Sequence, residues 1–341
     1  VTPEEALERA RAAGIHRLQI PTPFAVGRVN CYLIEDEPLT LVDAGPNSGK
    51  ALDELEHQFE AAGHAIDDLG LVIVTHQHID HFGLVDIVAS RSGADVAALD
   101  ILAPFLARYD SDAEREDEFA SALMHRYGIP DELIVPLRGV SRAFRGWGAT
   151  TTVTRPLADG ERLELAERAF EVQHRPGHSP SDTVFWDADR QILICADHLL
   201  AEISSNPLLA RPLDGSTERP RALVAYLASL ERTRNLDAEI LLPGHGEPIT
   251  DHAELIEQRY ALHRRRAEKL RGLIAERPRT AYELAQELWG NVAVTQAFLT
   301  LSEVVGHVDL LIDAGIVREE EAEGVVRFEA TGVDGEVRIP G

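Results

Sequence analysis

A chain of 341 residues exceeds the usual reach of one hydrophobic core, so a large domain with a smaller companion is expected. Its 58 acidic and 33 basic residues leave a formal charge of -25, a field that repels polyanions and disfavours nucleic acid as a partner unless a local basic patch or bound cations reverse it. No apolar run approaches the eighteen or more residues of a membrane span.

The first segment, VTPEEALERARAAG, has a charged helical pattern and lacks the apolar stretch and small-residue cleavage site of a secretory signal. The two cysteines, Cys31 and Cys195, lie in apolar strand-like runs and read as small buried hydrophobes of a reducing compartment, which makes the cytoplasm the expected location. RVNCYLIED, LTLVDAG, LGLVIVTH and ADVAALD read as strands in the first hundred residues; FEVQHRPGH, DTVFWD, QILICAD and EILLPGH follow later. Helical patterns occupy Gly49 to Ala62 and Pro220 to Arg232, so the class is α/β, with sheets covered by helices.

Residues 101–147 interrupt this rhythm. DSDAEREDEFASALMHRYGIP predicts a charged amphipathic helix with Phe119, Leu123 and Tyr127 on one face, and RGVSRAFRGWGATT reads as a mobile Arg- and Gly-rich segment. Together they are expected to form an inserted helical cap. Beyond Pro248, Asp251 to Ala275 reads as one long helix stopped before Pro278, followed by helices in TAYELAQELWG and LTLSEVVGHVDLLIDAG. A hairpin, IVREEEAEGVVRFEAT, turning at Glu-Ala-Glu-Gly, comes next. Three helices and a hairpin are the layout of a winged helix, giving a main domain over 1–255 and a winged-helix-like domain over 256–341.

The chemistry concentrates in VIVTHQHIDHFG, Val72 to Gly83. His76 and His78 are two apart and point the same way on an extended segment, while Asp80 and His81 follow where the chain leaves the strand. Imidazole nitrogens and a carboxylate suit zinc first, with iron or manganese as alternatives. Chance clustering of three surface histidines is a poor explanation in a chain with 14 of them. One loop cannot encircle two ions, and three more candidates follow strand ends: His178 in RPGHSPSD, Asp197 in ILICADHL and His245 in EILLPGHGEP.

LVDAG, THQHIDH, PGHSPSD, ICADH and LPGHGEP, spread over roughly the first 250 residues, together resemble the metallo-β-lactamase fold superfamily. The resemblance implies an αββα sandwich with two metal sites along one sheet edge. His76, His78 and His178 would hold one ion; Asp80, His81 and His245 the other; and Asp197 would bridge them. Asp43 occupies the position where family members keep a carboxylate behind the ligands, the alternative being a turn aspartate that ends a strand. Gln77, where flavo-diiron proteins carry an acid, points away from oxygen reduction. The pattern is closer to the hydroxyacylglutathione hydrolase, lactonase and ribonuclease-like branches, and persulfide dioxygenases share it with one iron.

The resemblance therefore implies a hydrolase in which two divalent ions lower the pKa of a bridging water, and the hydroxide attacks a small ester, thioester or lactone. Asp80 would orient the nucleophile and hold a proton for the departing group. The alternative is a metal-dependent endoribonuclease, suggested by the winged helix of the lactamase-β-like branch. Its candidate recognition helix carries Glu303, Asp309 and Asp313 with no Lys or Arg, which opposes phosphate contacts. A packing or homodimer role is expected for that module. HRRRAEKLRG, His263 to Gly272, reads as a solvated helix face or, alternatively, as a docking surface for an acidic substrate. His198, Asn206 and Arg211 are candidate substrate-pocket contacts, with Ser205 beside them; a turned-away His198 and a plain connecting loop are the competing readings. His174 reads as a structural or surface histidine.

Overall fold

The computed structural model describes residues 1–291 and 296–340; residues 292–295 and Gly341, inside the span expected to be winged-helix-like, lie outside the described residues. Two sheets face each other. The first is built in chain order from β1 (Ile15–Ile20), β2 (Val29–Ile34), β3 (Thr40–Val42), β4 (Leu71–Val74), β5 (Asp95–Leu99) and β6 (Arg155–Leu157). The first two pairings are antiparallel and the remaining three parallel. The second comprises β7 (Arg162–Glu164), β8 (Ala169–His174), β9 (Thr183–Asp187), β10 (Ile192–Ala196) and β11 (Ile240–Pro243), in the order β11-β10-β9-β8-β7. Strands such as β2 and β10 are buried along their whole length because both faces are covered, which is why they read as unbroken apolar runs.

Between the sheets lies a core that includes Tyr32, Ile34, Ile73, Phe170, Phe185 and Leu242. The outer face of the first sheet is covered by α2 (Gly49–Ala61) and α4 (Val85–Ser92), through Leu55, Phe59, Val85 and Val88. On the outer face of the second lie α8 (Ala222–Arg234) and the first half of α9 (His252–Glu276), through Leu223, Tyr226, Leu230, Ile256 and Tyr260. This is the expected αββα arrangement. Helix α1 (Pro3–Ala12), capped by a Thr2–Glu5 capping box, precedes β1, and the single turn α3 (Ile79–Phe82) follows β4. The sequence patterns do not reveal β1, β6 and β7: β1 mixes buried Ile15, Leu18 and Ile20 with His16, Arg17 and Gln19, and the other two are three residues long.

The insertion between β5 and β6 contains α5 (Ala103–Ala107), α6 (Tyr109–Arg126) and α7 (Asp131–Phe144). Arg138 to Phe144, expected to be a mobile segment, is instead the second half of α7. Leu133, Ile134 and Leu137 pack into an apolar cluster, while Arg138, Arg142 and Arg145 pair with Glu118, Glu114 and Asp117 of α6. The acidic and basic runs are two faces of one helical hairpin.

The C-terminal elements are the rest of α9, α10 (Ala281–Trp289), α11 (Ala297–Asp313) and the hairpin of β12 (Val317–Ala322) and β13 (Val325–Ala330). The hairpin turns on Glu323 and Gly324, both left-handed, a tighter turn than the four residues expected. A division after residue 255 would fall inside α9, which runs unbroken from one core to the other: Ile256 and Tyr260 pack on the second sheet, Leu270 and Ile274 on the C-terminal helices. Helix α11 is buried almost all round, and its acids pair internally, Glu303 with Arg266, Asp309 with Arg219 and Asp313 with Arg221. The C-terminal helices share one core with the insertion, where Leu123, Met124, Tyr127 and Ile134 meet Leu301, Val305 and Phe328. No helix among the described residues is long and apolar enough to cross a membrane.

Phe328 is fully buried and its ring stacks on Tyr127, 6.0 Å between centroids. Phe328→Ala is expected to lower unfolding stability by about 3–5 kcal/mol in urea denaturation, and limited proteolysis should then cut the α6–α7 hairpin sooner than in the parent protein.

Candidate metal centre

Five strands end at one edge of the sandwich, each delivering a polar side chain: β3 leads to Asp43, β4 to His76, His78, Asp80 and His81, β8 to His178, β10 to Asp197 and β11 to His245. Backbone bonds stitch these ends across the sheets: Asn30 N–H donates to Gly244 O at 2.7 Å, Thr183 N–H to Thr75 O at 3.1 Å, and Ala44 N–H to His81 O at 2.8 Å. Asn30 Nδ2 also donates to Pro243 O and Gly246 O, both at 2.9 Å. Ala196, at φ 44°, breaks the alternation of β10, whose pairing with β11 shifts register there. Backbone strain is thus placed immediately before Asp197, which it turns into the site.

Two groups result. In one, His78 Nδ1 lies 3.0 Å from His76 Nε2 and 2.9 Å from His178 Nε2, with Asp197 Oδ2 3.5 Å from His178 Nε2. In the other, His245 Nε2 lies 3.4 Å from Asp80 Oδ2 and 3.6 Å from Asp197 Oδ2, and His81 Nε2 is 3.6 Å from Asp197 Oδ2. Asp197 therefore stands between the groups. All seven side chains that the motifs singled out as ligands converge, and the ligand atoms within each group lie within 4.8 Å of one another.

The opposite ring nitrogens fix the orientation. His178 Nδ1–H donates to Asn206 O at 3.0 Å, His245 Nδ1–H to Arg28 O at 2.8 Å, and His81 Nδ1–H to Asp43 Oδ2 at 2.7 Å. Each leaves Nε2 facing the site. Asp43 also accepts from Thr75 N–H at 2.9 Å and Thr75 Oγ1–H at 2.8 Å, so it braces His81 and the β4 end; its left-handed backbone, φ 58°, is one that aspartate tolerates.

The electrostatics suit cations. Burial, together with the neighbouring imidazoles, holds His76 well below the usual histidine range and His78 at about 3, so their lone pairs are free. Burial opposes charge on Asp197, yet His245 and His81 outweigh it and keep the carboxylate ionised; Asp80, buried and bonded to His245, is likewise lowered. Burial disfavours charge on His81 too, but Asp197 and Asp43 raise it well above its ordinary value, and His245 is raised by Asp197 and Asp80. His81 Nε2 and Asp197 Oδ1 are buried with no hydrogen-bond partner among the described residues. A nitrogen and an oxygen orphaned at the centre of such a donor set fit divalent metal ions. Gly244 leaves the necessary space, since a Cβ there would collide with Asp197 Oδ1 and approach His81 Cε1 to 2.8 Å.

The centre opens on a cleft of about 570 Å³ lined from the sandwich, the insertion and α11. Of the three expected pocket contacts, Asn206 lines it, with Ser204 and Ser205 beside it. His198 does not: the kink at Ala196 sends its ring behind the sheet, where Nε2 meets Thr233 Oγ1 at 2.8 Å. Arg211 does not either, because it is held against α6, its N–H donating to Glu116 Oε1 at 2.9 Å and Nη2 to Asp112 Oδ1 at 3.0 Å. His174 is structural, its Nε2 bonding to Pro180 O at 2.9 Å.

Two contributors escaped the sequence reading. Asp182 accepts from Ser179 N–H at 2.9 Å and Ser179 Oγ–H at 2.8 Å, shaping the loop that carries His178; the Ser-x-x-Asp spacing inside PGHSPSD was its signal. Glu116 faces the cleft from α6, hidden in an acidic run that reads as a solvated face; burial pushes it up to about 7, and its Oε2 has no partner among the described residues.

The metallo-beta-lactamase superfamily model matches residues 25–245, and the chain belongs to that superfamily. It is 35% identical over 294 residues to the probable metallo-hydrolase YqjP of Bacillus subtilis (strain 168), covering 86% of this chain and 91% of that one. It is 24% identical over 235 residues to the hydroxyacylglutathione hydrolase GloC of Haemophilus influenzae, covering 67% of this chain and 90% of that one. The crystal structure of a metallo-beta-lactamase family protein from Thermus thermophilus superposes with a TM-score of 0.76 at 27% identity, over 93% of this chain and 98% of that one. The chain is accordingly a metallo-hydrolase of this superfamily.

Because Asp197 and Asp43 favour the protonated form of His81, a cation binding there would have to displace that proton. Metal titration of the metal-free protein at neutral pH should release at least one proton, measured calorimetrically in buffers of different ionisation enthalpy, and Asp43→Asn should weaken affinity about 10- to 100-fold. Glu116, raised by burial, binds a proton in the folded chain up to about pH 7 but in the unfolded chain only up to its ordinary value of 4.5. Its contribution is thus a stabilisation that is full below that lower value and lost as pH rises to about 7. Glu116→Gln should make the metal-free protein more stable at pH 8, relative to its difference at pH 4, by about 2–3 kcal/mol in urea melts.

Proposed function

We propose that the chain hydrolyses an ester, thioester or lactone at a dinuclear metal centre held by His76, His78 and His178, by Asp80, His81 and His245, and by Asp197 between them. The observation that carries this reading is the convergence of these seven side chains, with Asp197 within 3.6 Å of ring nitrogens of both groups. Two divalent ions, zinc before iron or manganese, would supply Lewis acidity for the scissile carbonyl and acidify a water.

The residues themselves do the following. Asn206 O, Arg28 O and Asp43 hold three imidazoles in the tautomer that presents Nε2. Asp80, ionised and lining the cleft, is placed to take the proton of the attacking water and return it to the departing oxygen or sulfur. The reaction consumes one water: the acyl–oxygen or acyl–sulfur bond breaks, a carbon–oxygen bond to the water oxygen forms, and the products are an acid and an alcohol or thiol, or for a lactone a single hydroxy acid.

The C-terminal helices and hairpin are read as a winged-helix-like packing module. A helix buried as fully as α11 cannot enter a nucleic-acid groove, and its acids are already paired. That weighs against the endoribonuclease alternative.

Metal-loaded protein should hydrolyse generic esters and lose that activity on chelation, with restoration by added zinc, iron or manganese. His76→Ala and Asp197→Ala should each lower turnover about a thousandfold or more. Chelator-sensitive cleavage of labelled single-stranded RNA with no ester turnover would reverse the assignment.

A further inference from the structure

The cleft beside the metal centre carries information about the part of the substrate that does not react. Its walls are mainly apolar: Phe24 from the β1–β2 loop, Phe105 and Tyr109 from α5 and α6, Phe144 from α7, Ile203 from the loop after Asp197 and Leu299 from α11. Three of these stay exposed at the mouth, Phe144 at 40%, Ile203 at 49% and Leu299 at 38%. The Phe24 and Phe144 rings meet edge to face with centroids 5.5 Å apart, so segments distant in sequence jointly form an aromatic rim. Large apolar side chains left exposed around one concave site mark a surface that a ligand covers.

The charges exclude several other occupants. Among the described residues, Arg145 is the one arginine or lysine lining the cleft, and its guanidinium is already engaged by Asp117. The remaining charged lining residues outside the histidines are Asp80, Glu116, Asp117 and Asp197. Recognition of a phosphodiester, or of the carboxylates of a glutathione-like peptide, calls for cationic or donor-rich walls. Here, away from the metal centre, Arg145, Ser141 and the Tyr109 hydroxyl are already engaged by Asp117 and by Arg145 O, and the donors left over are the hydroxyls of Ser204 and Ser205, too few to hold a multiply charged ligand. An uncharged hydrocarbon chain loses nothing by entering, and a volume of about 570 Å³ is well within the range that holds drug-sized ligands.

We infer that the substrate's acyl part is a medium- to long-chain hydrocarbon, running from the carbonyl at the metal centre outward past the wall formed by the packed Phe105 and Tyr109 rings to the Phe24–Phe144–Ile203–Leu299 rim. The inference rests on the proposed hydrolysis and specifies its substrate class. The cap and α11 would then select by hydrophobic burial alone, with specificity rising with chain length until the chain emerges past the rim.

Two measurements test this separately from the hydrolase assignment. With metal-loaded protein, kcat/KM is measured on p-nitrophenyl acetate, butyrate, octanoate and decanoate below their critical micelle concentrations. Each buried methylene is worth roughly a three- to fourfold gain, so octanoate should exceed acetate by at least about a hundredfold. With metal-free protein, binding of the uncharged fluorophore N-phenyl-1-naphthylamine and its displacement by 1-decanol are followed by fluorescence. Phe144→Ser and Ile203→Ser should each reduce the octanoate-to-acetate ratio about fivefold or more and weaken 1-decanol displacement in parallel. Ester turnover that is chelator-sensitive but independent of chain length, with no displacement by 1-decanol, would overturn the inference and leave the hydrolase intact. Displacement by 1-decanol that weakens in both variants, without turnover of any ester, would support the hydrocarbon site and sink the ester reading of the proposed reaction.

Discussion

Burying donors and acceptors face to face is the constraint from which the rest of this structure follows. Seven side chains capable of binding cations sit at one edge of the sandwich, with imidazole lone pairs about 3 Å apart and an ionised aspartate among them. An arrangement like that is costly in a low-dielectric interior unless positive charge is present to satisfy it. The fold tolerates it because the opposing elements are fixed by backbone bonds, Asn30 to Gly244 and Thr183 to Thr75, and cannot relax away from one another. Strain at Ala196 is held by the same framework, which also fixes the left-handed backbone of Asp43.

The division of labour within the site follows from burial. His76 and His78 are kept neutral by desolvation, whereas His81 and His245 are kept basic by the carboxylates they touch. The two halves of the centre thus differ: burial favours free lone pairs in one, and the carboxylates favour protonation in the other, protons that a cation would have to displace. Asp197, in contact with both halves, couples them electrostatically.

Much of this was legible in the sequence because the information is local. THQHIDH packs four donors into one strand end, CAD and PGHG each follow an apolar run that reads as a buried strand, and PGH follows the alternating strand pattern of FEVQH. Asp43 had two readings, a turn aspartate or a carboxylate behind the ligands, and in the structure it accepts from His81 Nδ1–H and Thr75 Oγ1–H. What stayed hidden depends on tertiary placement. β1 carries too many polar residues to declare itself, and α7 looks mobile until its arginines are seen against the acids of α6. The direction of His198 turns on one left-handed residue, Ala196, which no propensity predicts. Arg211 and Glu116 meet across 95 residues of chain, so neither sequence neighbourhood announces the other.

The shared core of the insertion and the C-terminal elements has an architectural consequence. Leu299 and Phe298 of α11 form part of the cleft wall, and α11 is locked against α6, α9 and α10. The catalytic edge of the sandwich is therefore only one side of the reaction vessel, and the facing side is folded in part from the C-terminal end of the chain. Trimming the protein back to its sandwich would keep every metal-facing side chain, yet remove one bank of the channel and lay bare the greasy underside of the cap. The smallest unit that keeps both walls of the cleft includes α11 and the terminal hairpin, whose Phe328 packs against Tyr127 of the cap.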